Sequence, residues 1–589
     1  MDLKPEFAAL LQNNDVPSES TILELTESLK APSSELQEVE AEIQRLGRLM
    51  EMMEMKRQSI QKIINDHKII LSPVRRLPPD VLHEIFFHCL PTYHNPVMTS
   101  SESPLLLTRI CSSWRAIALS SPRIWSQVYI PLPGDPNYSS GYGVITDQAT
   151  LNRRSQRFAS VLRLRCDAVR RWLSRSGTCP LSLTVTYPST YSDVQNLEID
   201  ELIREMFDML LSFADRWTDV DLSMPEDIYN KLQSNINPIT FSSLTSLKIS
   251  LNQAPHWNNT ATQQFPIRLL DAPRLRRLHI SATQTSYTPM LRQSFWNHFT
   301  HITFASPTTD EDVLVLLRGC PNLVFGKFFV IPSSQWDQTV DQFAVVLPRL
   351  RSLYMQDSGA HESMAILFKA LNAPSLTSLS YHWFSHRSPG DGLDSAIQLP
   401  VPVIPLLENS TLISYLLLDG VLSRQDTQKC LQHGARVTHV VFGEETPASW
   451  HPQNPSFILD TDVVRPDTFN LKMLSIGSGA VTLLPKLESL EAYHLSSLTD
   501  EDLLDVITSR IKASQQGEVA ALKSIKIHFQ RQRQRDITED VFRLTKEAGI
   551  EVKLDLTYPP EDSRFVDRFS PSFGFTSNDE PWFCLAGYS

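Results

Sequence analysis

The segments LPRLRSLYM (347–355) and NAPSLTSLSY (372–381) decide how most of this chain folds, because they repeat one pattern. In each segment a proline or a small residue precedes a leucine, and further apolar residues follow at alternating positions. Alternation with a period of two is typical of a β-strand with one buried face. The anchor leucines Leu350 and Leu376 lie 26 residues apart. The pattern predicts one strand per unit, followed by a helix or a loop.

Related copies of this pattern occur elsewhere along the chain. They are FSSLTSLKIS (241–250), DAPRLRRLHI (271–280), GCPNLVFGKF (319–328), NSTLISYLLL (409–418), LPKLESLEAY (484–493) and LKSIKIHF (522–529). The spacing is irregular: Leu323 lies 27 residues before Leu350, whereas Leu244 and Leu275 are 31 apart. One unit cannot bury its apolar edge alone, so we expect neighbouring units to stack into a solenoid. The copies resemble irregular leucine-rich repeats; the alternative is a non-repetitive α/β domain.

An N-terminal segment has a different period. Its apolar side chains alternate in steps of three and four residues, with only Arg57 and His67 as polar members of the series. The apolar positions are Leu36, Val39, Ile43, Leu46, Met50, Met53, Ile60, Ile64 and Leu71. Such spacing predicts a coiled-coil helix over 35–72 that associates with itself or with another protein. The alternative is an amphipathic helix that folds back on the chain's own body.

The ends of this helix are marked by prolines. Pro32, followed by two serines and Glu35, predicts its start, and Pro73 predicts its end. Residues 1–34 would then form an N-terminal tail. That tail begins without a basic stretch followed by an apolar one, so it is unlike a secretory signal.

Two further segments predict a pair of short amphipathic helices: PVRRLPPDVLHEIFFHCLP (73–91) and SPLLLTRICSSWRAIALSSPRIW (103–125). The first helix would carry Val81, Leu82, Ile85, Phe86 and Cys89 on one face. The second would carry Leu107, Ile110, Cys111, Trp114 and Ile117 on one face. Helices this short have more apolar surface than they can bury between them, so some of it is expected to meet another surface. The alternative is an ordinary helical hairpin packed on the rest of the chain.

The order Leu-Pro, Ile-Phe, Cys-x-x-Trp-Arg and a later Trp125 resembles the F-box, with a longer insertion at about 91–104. We expect this insertion to be a surface loop. The resemblance implies that the segment binds a Skp adaptor and, through it, a cullin scaffold. The implied adaptor-binding residues are Leu77, Pro78, Val81, Leu82, Ile85, Phe86, Leu90, Leu105, Leu107, Ile110, Cys111, Trp114 and Arg115.

Catalytic signatures do not occur in the sequence. It has no phosphate-binding GxxxxGK[ST] loop, no HExxH zinc pair and no GxSxG elbow, so we expect neither an enzyme nor a cofactor. The acidic runs 310–312 and 500–502 would suit a cation, but the preceding Thr309 and Thr499 favour helix N-termini. The seven cysteines are scattered without a CxxC pair. That pattern favours reduced thiols and a cytoplasmic or nuclear location.

The net charge of the chain limits which classes of partner it can bind. A net charge of −12 argues against nucleic acid as the main ligand. Two basic clusters remain: one lies in 153–175, and the other is Arg531, Arg533 and Arg535. They would be either phosphate-recognising or nucleic-acid-binding surfaces, or ordinary solvated faces. No apolar stretch is long enough to span a bilayer, so no membrane association is expected.

These expectations combine into an α/β chain with a coiled-coil helix, a small all-α F-box (73–130), a linker (131–150) and a leucine-rich-repeat-like solenoid (151–557). Residues 558–589 would be a tail, free or docked through Trp582 and Phe583. The resemblance implies the substrate receptor of a cullin-based ubiquitin ligase, with a protein substrate held by the repeats. The alternative is a non-catalytic repeat scaffold that oligomerises through its N-terminal helix.

Overall fold

The structure is a computed structural model, and it describes most of the 589-residue chain. The described residues are 11, 16–133, 148–187, 197–233, 236–252, 267–282, 296–333, 344–357, 361–383, 401–419, 424–443, 471–477 and 481–559. The chain divides into two compact units, Met1–Ile85 and Phe86–Ser589, called here the first and second unit. The linker predicted at 131–150 falls mainly on 134–147, outside the described residues, as do Trp582 and Phe583 of the tail.

The first unit is dominated by one long helix, α1 (Glu19–Ile70). Ser18 caps it, because its Oγ accepts a hydrogen bond from the backbone N–H of Thr21 at 3.2 Å. The helix therefore begins well before the expected start and includes Pro32 in its interior. A proline removes one donor from the helical ladder, and here the helix continues through it. No residue of this helix, which is described throughout, is buried.

Five short helical segments follow. A 3₁₀ turn (Pro73–Arg76) precedes α2 (Pro79–His88), which the Leu-Pro turn introduces as predicted. In the second unit come α3 (Leu107–Ile110) and α4 (Ser112–Leu119). A 3₁₀ turn (Pro122–Trp125) leads into the first strand.

The rest of the second unit is built around a large parallel sheet of fourteen strands. In chain order these strands are β1 (Gln127–Pro131), β2 (Leu181–Thr186), β3 (Trp217–Pro225), β4 (Ser246–Asn252), β5 (Arg277–Ala282), β6 (His301–Thr309), β7 (Phe325–Ile331), β9 (Ser352–Asp357), β11 (Ser378–Trp383), β12 (Tyr415–Asp419), β13 (His439–Phe442), β14 (Ser489–Leu495), β15 (Ser524–Phe529) and β16 (Lys553–Thr557). Each strand pairs with the strand that precedes it in this series, so chain order and sheet order coincide. Two further strands, β8 (Val345–Val346) and β10 (Leu371–Asn372), pair with each other.

Helices occupy many of the connections between the strands. They are α5 (Gln148–Arg175), α6 (Leu197–Leu211), α7 (Glu226–Gln233), α8 (Asp310–Gly319), α9 (His361–Ala370), α10 (Ile404–Asn409), α11 (Arg424–Gln432), α12 (Asp500–Gln515) and α13 (Thr538–Ala548). Their apolar sides meet one face of the sheet: Phe368 of α9, for example, contacts the ring of Tyr381 on β11 at 5.6 Å. Thr309 and Thr499 cap α8 and α12, which confirms the reading of the acidic runs as helix starts.

The anchor leucines explain where the strands begin. Leu350 and Leu376 are fully buried, and each lies two residues before its strand. The same offset holds for Leu244, Leu275, Leu323 and Leu487. Each anchor N–H donates to the carbonyl three residues earlier, forming a tight turn before the strand.

A second repeated contact connects neighbouring units. The carbonyl of Arg351 accepts hydrogen bonds from the N–H groups of both Thr377 and Ser378, at 2.9 Å each. The carbonyl of Thr377 does the same for Ser414 and Tyr415 of the next unit. The structure confirms the mixed α/β class, the long N-terminal helix and a strand after each of these anchor leucines.

Candidate protein-interaction site

The F-box-like helices differ from the prediction at Cys111. This residue is extended (φ −156°, ψ 172°), so the expected single helix over 107–117 is split into α3 and α4. The thiol caps α4, because its Sγ accepts a hydrogen bond from the N–H of Trp114 at 3.4 Å. Arg115 braces the break by donating from Nε to the carbonyl of Thr108 at 2.7 Å. Leu107 and Ile110 thus do not share one helical face with Trp114.

In the second unit, the motif residues divide between core and surface. Phe86, Leu90 and Leu107 are buried, and Phe86 contacts the ring of Trp114 at 4.9 Å. Leu105 and Trp114 are half-buried, whereas Cys111 and Arg115 are exposed. Ile110 is 55% exposed. Two non-motif neighbours, Leu106 and Leu119, are also exposed.

The motif residues of the first unit divide in the same way. Leu82 is buried and Leu77 is half-buried. Pro78 is exposed, and the apolar side chains of Val81 and Ile85 are 44% and 36% exposed. Large apolar side chains at these motif positions therefore remain in contact with solvent, which is the property expected of an interaction surface.

Trp125 connects α4 with α5 within the second unit. Its indole is buried, donates from Nε1 to the carbonyl of Ala118 at 2.8 Å, and meets the ring of Trp172 edge-on at 4.9 Å. Trp172 belongs to α5 and donates in turn to the carbonyl of Gln127 on β1 at 3.0 Å. The guanidinium of Arg175 lies over the Trp125 ring. The later tryptophan of the motif is thus an anchor within the unit.

The insertion at 91–104 was expected to be a surface loop, and the structure gives it a second role. Asn95 donates from Nδ2 to the hydroxyl of Thr184 at 3.0 Å and accepts from Ser182 at 3.1 Å. Val97 forms a parallel bridge with Tyr129 of β1, whose N–H donates to the carbonyl of Pro96. The insertion thereby covers the first edge of the sheet, which would otherwise present unpaired backbone groups.

The basic clusters are largely engaged in contacts within the chain. Arg531 donates to the carboxylate of Asp500, and Arg535 pairs with both Glu501 and Asp540. In α5, Arg165 donates to the carbonyl of Pro131, and burial lowers the pKa of its guanidinium. These contacts favour the reading of the clusters as structural and solvated faces.

Asp500 is the most strongly held carboxylate of these clusters. Burial acts to raise its pKa, but hydrogen bonds from Arg531, the backbone of Arg535 and Gln534, and the Tyr558 hydroxyl outweigh it and lower the pKa to about 2. It therefore holds the segment after β15 against the start of α12. Among the described residues, no cluster of His, Cys, Asp or Glu has a geometry that could hold a metal ion.

No family model matches the chain, and no curated protein matches it. Among solved structures, a protein from Bacteroides fragilis is similar over 62% of this chain and 86% of its own length, with 12% identity and a TM-score of 0.27. A similarity this low carries no argument about function. Within the described residues, none of the helices is long and apolar enough to cross a membrane.

Proposed function

We propose that this chain is the substrate receptor of a cullin-based ubiquitin ligase and binds a Skp adaptor through residues 77–115. The observation that carries the proposal is the exposure of apolar motif residues, above all Ile110 at 55%. Buried Phe86 and Leu107 then hold the helices in place, while Val81, Ile85 and Ile110 contact the adaptor. Large apolar side chains of this kind are typical interface anchors.

The finer part of the fold is also a proposal: the β-strand units stack as a leucine-rich-repeat-like solenoid that holds a protein substrate. Its support is the coincidence of chain order and sheet order, together with the repeated turn at each anchor leucine. The sheet face away from Leu353 and Met355 carries aromatic and charged side chains. Tyr354 there stacks on His382 at 4.5 Å, with the ammonium of Lys327 4.0 Å above the Tyr354 ring.

The same face continues with polar contacts on β13 and β14. His439 lies 3.1 Å from a carboxylate oxygen of Glu491, whose other oxygen accepts from the Tyr493 hydroxyl at 3.0 Å. His382 and Tyr493 are buried, whereas the other four side chains, Lys327, Tyr354, His439 and Glu491, are half-buried. Side chains fixed by cross-strand contacts lose little entropy on binding, so these four suit a substrate surface. Ubiquitin transfer itself would be performed by other subunits, and the receptor contributes proximity.

Co-purification of the Skp adaptor with the full chain tests adaptor binding. Ile110→Asp should weaken it by at least about thirtyfold, since truncating an anchor costs ~2 kcal/mol or more. Leu164→Asp is the matched control, because Leu164 is 68% exposed on α5 and lies outside the motif. Equal retention of adaptor by wild type and Ile110→Asp, with both proteins folded by circular dichroism, would refute the proposal.

The alternative function is a repeat scaffold that oligomerises without an adaptor. No residue of α1 is buried, which favours this alternative because an apolar stripe left on a helix can associate with a second copy. A wild-type protein that self-associates but retains no Skp adaptor from its own cell extract would support the scaffold.

A further inference from the structure

The apolar stripe of α1 is longer than the segment that predicted it. Ile22, Leu25 and Leu29 continue the steps of three and four upstream of Leu36, so the stripe runs through the full helix. Leu25 is half-buried, and the other apolar members are exposed, from 42% at Ile64 to 76% at Met50. A stripe of this length on a helix without a buried residue is a large apolar surface of the kind that binds a partner.

The apolar area of the stripe is sufficient for a stable pair of α1 helices. Eleven apolar positions of the stripe lie within α1: Ile22, Leu25, Leu29, Leu36, Val39, Ile43, Leu46, Met50, Met53, Ile60 and Ile64. At roughly 60–100 Å² for each side chain, two such stripes would bury on the order of 1,300–2,200 Å². Specific protein interfaces bury about 1,200–2,000 Å² in total.

Charge along α1 indicates what the partner is. Residues 19–44 contain seven acidic side chains and one lysine, a net charge of −6. Residues 45–70 contain six basic and three acidic side chains, a net charge of +3. The two halves of the helix are therefore complementary to each other, and a second copy running in the opposite direction satisfies both halves at once.

The positions of individual side chains also agree with an antiparallel second copy. We propose that α1 forms an antiparallel coiled-coil homodimer in which Glu19 of one copy lies level with Ile70 of the other. In this register Leu36 faces Met53 of the second copy, and Ile43 faces Leu46. The flanking positions then place Glu35 beside Lys56 and Glu19 beside Lys68, with no pair of like charges among them.

A parallel, in-register pair lacks these features. Arg57 would face Arg57 of the second copy within the apolar stripe, whereas the antiparallel register places Arg57 opposite Pro32. Glu35 would lie beside Glu40, and none of the flanking pairs would join opposite charges. An antiparallel pair also sends the two chains away from opposite ends of a helix about 75 Å long. The dimer would thus present its two adaptor-binding segments separately.

Sedimentation velocity of the full chain over a range of concentrations tests the proposal. Glu35→Lys puts a lysine beside Lys56 of the other copy, and the symmetric dimer contains this contact twice. The change should raise the dissociation constant of the dimer about tenfold (~1.4 kcal/mol). Adding Lys56→Glu to the same chain should restore wild-type affinity. Glu38→Lys, the same charge change outside the seam, should leave affinity unchanged.

The same variants discriminate against the other arrangements. In a parallel dimer Glu35→Lys would lie beside Glu40 and tighten association, so tighter binding overturns the proposal. A wild-type chain that stays monomeric at all concentrations, with its helix intact by circular dichroism, also overturns it. Neither result bears on adaptor binding, which involves other residues.

Cross-linking gives an independent test of direction. Leu36→Cys mixed with Met53→Cys should yield a disulfide between positions 36 and 53, identified by mass spectrometry so that native cysteines are distinguished. Leu36→Cys alone should give little 36–36 product. A dominant 36–36 cross-link is the result that contradicts the antiparallel arrangement.

Discussion

Apolar side chains follow a periodic pattern in two regions of this molecule, and their environments are opposite. On the strands of the parallel sheet the anchor residues Leu350 and Leu376 are fully buried. On α1, Leu46 and Met50 are 49% and 76% exposed. The period of an apolar pattern thus identifies the type of element, whereas the neighbouring segments of the chain decide whether its apolar side chains are buried within the chain. Each strand unit has a neighbour along the chain to cover it, whereas no residue of α1 is buried.

The F-box-like helices lie between these extremes. Phe86 and Leu107 are as buried as the strand leucines, whereas Ile110 is as exposed as the seam of α1. One short segment thus combines buried side chains with exposed apolar ones, which form the surface that we propose binds the adaptor.

The largest expected effect comes from removing a charge inside the sheet-containing unit. Arg510 of α12 is 1% exposed, and its guanidinium donates to the carbonyls of Leu474, Leu483 and Leu484. Burial lowers the pKa of Arg510 to about 10, so it stays charged at neutral pH. Arg510→Met removes all three of these hydrogen bonds, although the Leu484 carbonyl keeps the one from the N–H of Leu487. The change should lower the free energy of unfolding by about 3–5 kcal/mol.

Urea denaturation followed by tryptophan fluorescence measures this change, because all ten tryptophans lie in the second unit. Lys512→Met is the control, since Lys512 carries the same charge on the same helix and is exposed. A loss below about 1 kcal/mol, as for a surface position, would contradict the role assigned to Arg510.

A matched pair of leucine truncations tests the comparison directly. Leu376→Ala opens a cavity at a fully buried anchor and should cost about 3 kcal/mol of unfolding free energy. Leu46→Ala should change the unfolding of the second unit by less than about 0.5 kcal/mol, but should weaken the self-association of α1. If both changes destabilise the sheet equally in the urea titration, the division between internal and external burial is wrong.

The sequence was informative wherever local chemistry decides the structure. Thr499 and the acidic residues after it predicted the start of α12, and the leucine pattern predicted the strand starts, because capping and alternation act within a few residues. Pro32 was misleading: a proline usually marks a boundary, yet the helix that contains it extends back to Ser18, a stronger cap.

Other features depend on distant residues and could not be predicted. The contact of Asn95 with Ser182 and Thr184 joins residues 87 and 89 positions apart, so nothing near the insertion signals it. The break at Cys111 arises because its thiol caps α4, and cysteine is an uncommon cap. The core role of Phe86, as opposed to the surface role of Ile110, also needed the packed helices.

The smallest expected effect depends on pH and concerns Asp500. Its folded pKa of about 2 lies below the ordinary value of 3.8. A depressed carboxylate pKa means that the folded state favours the ionised form, so this stabilisation is complete above pH 3.8 and is lost as the pH falls towards 2. Asp500→Asn should therefore lower the unfolding free energy by about 1 kcal/mol near pH 6, a value reduced for solvent screening of the ion pair.

The two proteins should converge in stability as the pH falls from about 5 to about 2, because protonated Asp500 and the amide are then similar acceptors for Arg531. Thermal unfolding at several pH values measures the difference, with Asp505→Asn as the control on the exposed side of α12. A wild-type advantage that persists undiminished at pH 2 would mean that the shape of the side chain, and not its charge, holds this end of the sheet. In that case the buried region would owe its stability to packing alone, and the contrast with the charge-complementary α1 helix would become sharper.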